Sequence, residues 1–143
     1  MGVRMISKPY RIHKKAQGQS LLEFALILPL LVLVLVGVFD LGRALFALIT
    51  INNSAREGAR YGTLHTDEAV TALQAAAVLE AQNSGIVINN GNVTVTCPDD
   101  GAAWPCNRGT AVRVRVNYTF TSLLNMFIPT SINMSRAVEM AVP

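Results

Sequence analysis

A chain of 143 residues has room for one ordinary domain beside a membrane segment. Its net charge of +3 arises at its start, where Arg4, Lys8, Arg11, Lys14 and Lys15 occur without a single acid; from Gln19 onward seven basic residues face nine acidic ones. A faintly acidic body argues against a basic nucleic-acid surface, and two histidines far apart, His13 and His65, argue against a histidine-built metal or catalytic centre.

Residues 1–16 are basic and lack hydrophobic periodicity, so they read as a cytoplasmic leader rather than folded structure. From Phe24 to Phe39 no side chain is charged. As a helix this run measures about 24 Å and, with Leu21, Leu22 and Leu41 beside it, nearly spans a bilayer core. The competing reading is a buried central helix, but a chain this short has little sequence left to wrap one. The run ends in Asp40, Leu41, Gly42 and Arg43, with none of the small-residue pattern of a removable secretory signal. The expected topology is therefore a single membrane pass with the N-terminus in the cytoplasm and everything after Phe39 outside.

Beyond the run, Leu41, Ala44, Leu45, Leu48 and Ile49 keep helical spacing, and Asp40 and Arg43, three apart, are placed to pair. One helix is expected from about Gln19 to Tyr61, half membrane span and half stalk, with Gly62 as its C-cap. Pro29 removes a helical hydrogen bond and predicts a kink over 25–29. Gly37, Gly42, Ala44 and Ala47 offer small faces on which another helix can pack closely.

A second, alanine-rich helix is predicted over 67–82, capped by Thr66 or Asp67 and stopped by Asn83, Ser84 and Gly85, packing on the stalk. The period then changes to alternation. Val93, Val95 and Cys97 mark one strand; Val112, Val114, Val116, Tyr118 and Phe120 mark another; Ile132, Met134, Val138, Met140 and Val142 mark a third, with Arg136 interrupting its apolar face. The fold class that results is α+β and membrane-anchored: a long N-terminal helix, a second helix and a small three-stranded antiparallel sheet. Its divisions are a leader over 1–18, a transmembrane and stalk helix over 19–62 and an extracytoplasmic domain over 63–143.

Cys97 and Cys106 fall in the outer part, where an oxidising compartment favours a disulfide closing a short loop, worth about 2–3 kcal/mol. Two thiols without further ligands do not make a metal site, and Asp99-Asp100-Gly101 lacks the later carboxylates of a calcium loop, so a turn is expected there. Trp104, the only tryptophan, is either an exposed contact residue or a cap on the small core.

The segment that carries most functional information is Gly18-Gln19-Ser20-Leu21-Leu22-Glu23-Phe24: a glycine closing the basic leader, then a carboxylate five residues on, then the apolar helix. It resembles the processing site of type IV prepilins, which a membrane prepilin peptidase cuts after the glycine; Gln19 would then be the mature N-terminus, with Glu23 and Phe24 at the fifth and sixth mature positions. The continuation LLEFALILPLLVLVLVGVFDLGRALF, with NNSAREGARYG, resembles the TadE-like family of tight-adherence pilus systems, whose members are pseudopilins. The likeness covers Gly18 to Gly62 and implies a non-enzymatic assembly protein of the inner membrane. Its partners would be the lipid bilayer, the prepilin peptidase, other pilin or pseudopilin subunits and the assembly machinery, without cofactor, metal or nucleic acid. Glu23 has its own physical argument. A carboxylate near the lipid boundary is costly unless protonated or paired, and the amine that cleavage creates at Gln19 lies one helical turn away; solvation among headgroups is the alternative. A reading from a different class is an uncleaved, signal-anchored ligand-binding or sensor module that uses the surface near Trp104.

Overall fold

The computed structural model describes residues 16–99, 101, 103–126 and 131–143; the expected leader over 1–15 lies outside the described residues, as do Asp100, Ala102 and 127–130. In chain order the elements are helix α1 (Ala16–Leu64), helix α2 (Val70–Asn83) and strands β1 (Val93–Thr96), β2 (Ala111–Thr121) and β3 (Ser131–Ala141). Short 3-10 turns at Asn90–Asn92 and Leu123–Met126 precede β1 and follow β2. The three strands form one antiparallel sheet in the order β1-β2-β3. The long helix, the second helix and the three-stranded sheet are thus those the sequence periodicity requires.

Two compact units divide α1 between them: residues up to Val36 form one, and Gly37–Pro143 the other. In the first, α1 is unbroken through Pro29, so the proline removes its own N–H from the ladder without ending the helix. Its large apolar side chains are between 42% and 72% exposed from Leu21 to Leu35, and the most apolar window of α1 has no residue buried by the chain itself. That overturns the reading of this run as the covered central helix of a soluble domain.

In the second unit the core forms where the later half of α1, then α2, meet one face of the sheet. Ile51, Ala55 and Ala59 of α1, Leu73, Ala77 and Ala81 of α2, and Val112, Val114 and Val116 of β2 are fully buried. The opposite face of β2 carries Arg113, Arg115, Asn117, Thr119 and Thr121, and Arg113 pairs with Glu139, its cross-strand partner on β3. This is the alternation expected of a sheet with one wet face.

The seam between the helices is narrow because small residues line it. Ser54, Gly58 and Gly62 recur every four positions, hence on one helical face. The Ser54 hydroxyl donates to the Ala77 carbonyl at 2.5 Å. A Cβ on Gly58 would stand 3.0 Å from the Ala77 Cβ, and 3.2 Å from both the Leu73 carbonyl oxygen and the Val114 Cγ1.

Two local expectations are corrected. Gly62 is not a C-cap: α1 continues to Leu64, and Gly62 is buried where a Cβ would come within 2.7 Å of Leu73 Cδ2. It is glycine because α2 lies close, not because the backbone turns there. Helix α2 also begins at Val70, preceded by Ala69 as an N-cap with no side-chain bond, instead of at Asp67. The cause is tertiary: the Glu68 carbonyl accepts the Trp104 indole N–H at 2.7 Å and its carboxylate accepts the Tyr61 hydroxyl at 2.8 Å, which holds residues 66–68 in a turn.

Candidate functional site

The residues singled out from the sequence fall on three surfaces. The first is the head of α1. The helix begins at Ala16, ahead of Gly18, so the glycine lies in its first turn, exposed and with nothing within 4 Å of where a Cβ would be. The Gln19 amide donates to the Glu23 carboxylate at 3.3 Å across one helical turn. Phe24 is 60% exposed.

The second surface follows the uncharged run directly. Asp40 is only 8% exposed, although it is charged and sits on a helix whose neighbours Phe39 and Leu41 are open. Three groups hold its carboxylate directly. Arg43 donates to one oxygen at 3.0 Å, while the other accepts the Ser122 hydroxyl and the Leu123 N–H at 2.8 Å; Ser122 in turn accepts the Leu124 N–H at 3.0 Å. The Arg43 guanidinium also lies over the Phe120 ring, 5.2 Å from its centroid, a cation–π arrangement. The pairing of Asp40 with Arg43 was legible from their spacing. Its partners 82 and 83 residues away were not.

The third surface is the disulfide loop. Cys97 and Cys106 are bonded, and Trp104 within their loop is half-buried against the core. Its only polar atom is used by Glu68, so the indole caps the α1–α2 turn from inside the domain. Tyr61 stacks on His65 with ring centroids 4.2 Å apart, and its hydrogen bond to Glu68 pushes its hydroxyl above the ordinary tyrosine range. Asp99 accepts the Ala111 N–H at 2.8 Å and so ties the loop to the start of β2. Among the described residues no group of three or more His, Cys, Asp or Glu could hold a metal ion.

The small residues expected to pack on other helices separate into two sets. Gly37 and Gly42 are exposed, with nothing within 4 Å of a Cβ at either. Ala44 is half-buried, and Ala47 is 3% exposed and belongs to the domain's own core. Ala47 is therefore small for an intramolecular reason, which corrects its assignment to the outward face. Residues 54, 58 and 62, which do make a close helix contact, were missed; the signal was present as three small residues spaced by four in NSAREGARYG. Gly42→Ala should raise the thermal midpoint of the isolated protein in detergent, by about 0.5–1 kcal/mol in stability, since the alanine meets no neighbour and helical glycine is entropically costly. A midpoint that falls would mean Gly42 is already packed within the chain.

Residues 18–60 match the TadE-like protein family. The match lies inside α1 and stops before α2. No curated protein and no solved structure matches the chain.

Proposed function

We propose, from the TadE-like character of residues 18–60, that this protein is a pseudopilin: a single-pass inner-membrane protein that serves assembly of a tight-adherence pilus or a related secretion system by association, without catalytic turnover. The observation that carries the reading is the composition of α1, in which Gly18, Glu23 and Phe24 stand at the head of an uncharged run that its own chain leaves uncovered. An exposed apolar helix of this length needs lipid or other helices around it. On this reading residues 1–18 are a cytoplasmic leader, 19–62 the membrane and stalk helix, and 63–143 an extracytoplasmic domain. A prepilin peptidase removes the leader after Gly18, and Gly37 and Gly42, open on the helix, allow close approach of neighbouring pilin-like helices.

The test is the N-terminal sequence and mass of the protein recovered from its native membrane. Wild type should begin at Gln19. Gly18→Val should keep the full leader yet remain membrane-inserted, because insertion depends on the run from Phe24 to Phe39 while cleavage depends on a residue without a side chain at the cut. Wild-type protein that retains Met1 would refute processing and leave an uncleaved anchor.

A further inference from the structure

We propose that the turn after β2, at Ser122–Leu124, is a second contact with the lipid surface, so that the domain rests on the bilayer through a β-hairpin end as well as through α1. This inference rests on the membrane anchoring proposed above. Its first support is position. Asp40 follows covalently on Phe39, the last residue of the uncharged run, and it is this carboxylate that binds the Ser122 hydroxyl and the Leu123 N–H. A turn hydrogen-bonded to Asp40 stands at the level where the run meets water.

The second support is the distribution of charge along the β2–β3 hairpin. Between Arg115 and Arg136 the chain holds no charged residue, a stretch that includes the later half of β2 and the first half of β3. At the far end the register places Arg113 opposite Glu139, and Val116 opposite Arg136; towards the Asp40 end the pairs are Tyr118 with Met134, Phe120 with Ile132 and Thr121 with Ser131. Seven residue steps along β2, about 24 Å, separate the Arg113–Glu139 pair from the Phe120–Ile132 pair. A hairpin exposed to water at both ends would be expected to carry charge at both, since an uncharged, partly apolar end invites association.

The third support is exposure. Leu123 is 52% exposed and Ile132 55%, and Phe39 beside Asp40 is 70% exposed. The same end of the domain carries an open apolar groove of about 490 Å³, lined by Phe39, Gly42, Phe46, Tyr118 and Phe120 among others. Apolar side chains around a satisfied carboxylate, with an arginine beside an aromatic ring, are the composition of a membrane–water interface.

The experiment uses full-length protein reconstituted in phosphatidylcholine vesicles whose acyl chains are brominated, and reads loss of tryptophan fluorescence relative to unbrominated vesicles. Three variants each add one indole to the Trp104 background: Leu123→Trp at the turn, Leu33→Trp in the uncharged run, and Leu79→Trp on the exposed face of α2, all at exposed positions that accommodate the larger ring. The fluorescence added by Leu33→Trp should be largely quenched, that of Leu123→Trp quenched by about half as for an indole at headgroup level, and that of Leu79→Trp unaffected. If Leu33→Trp is quenched while Leu123→Trp behaves like Leu79→Trp, the hairpin contact is wrong and the anchor stands. If Leu33→Trp escapes quenching, the membrane reading falls, and the hairpin contact with it.

Discussion

Gly58→Val should strongly destabilise the Gly37–Pro143 unit, observed as a lowered thermal midpoint and as faster proteolysis after Arg60. The valine Cβ alone would stand 3.0 Å from Ala77, and 3.2 Å from the Leu73 carbonyl and from Val114, so it meets backbone and two other elements at once. Overpacking in a close-packed core costs about 1–3 kcal/mol and more when backbone must move, while the helical preference gained over glycine is at most about 1 kcal/mol. The first quantity wins. Gly58→Ala should consequently fold but with reduced stability, because it keeps the tight Cβ and omits the branch. Gly62→Ala should be milder still: its nearest neighbour is the end of the Leu73 side chain, which can rotate away. Equal stability of Gly58→Val and wild type would show that α2 does not lie against α1 in this register.

On the proposed processing, Glu23→Gln should leave cleavage after Gly18 largely intact and lower co-purification of the processed protein with pilus machinery on the order of tenfold, because the amine created at Gln19 would stand without a counter-charge among apolar helices. The Gln19 side-chain amide donates to the Glu23 carboxylate at 3.3 Å, so the carboxylate already faces residue 19 across one helical turn. Glu23→Asp should be intermediate, retaining charge and losing reach. Equal recovery of wild type and both variants would make Glu23 a headgroup-solvated residue and remove the electrostatic argument for pilin-like packing.

Much of this was legible because it is local. The uncharged run, the Asp40–Arg43 spacing, the alternation in β2 and β3, and two cysteines nine residues apart each carry their signal within a few positions. What escaped reading is set by distant partners. Gly62 follows Tyr61 at the end of an apolar pattern and has the look of a cap; only the approach of Leu73 and Trp104 gives it a different role. Asp67 and Thr66 are good N-cap residues, yet Glu68 is engaged by Tyr61 and Trp104, and the helix starts later. Nothing near Asp40 indicates that Ser122 and Leu123 will use its second oxygen. On the candidate site the same division holds. The Gly18–Glu23–Phe24 spacing is visible in the sequence, whereas Ala47 had first to be seen inside the core before it could be removed from the outward face.

The hydrogen bond from Ser54 to Ala77 and the burial of Ile51, Ala55 and Ala59 have a practical corollary. The part after residue 62 is not portable at the boundary that composition suggests. A fragment cut at residue 63 would leave Leu73, Ala77 and Val114 facing solvent where Ser54, Gly58 and Gly62 had stood, and would forfeit one entire wall of its interior. The compact unit that keeps that wall whole begins in the middle of α1, at Gly37. Helix α1 therefore cannot be exchanged for an arbitrary apolar helix: its later half is part of the folding unit, and the two are inherited together.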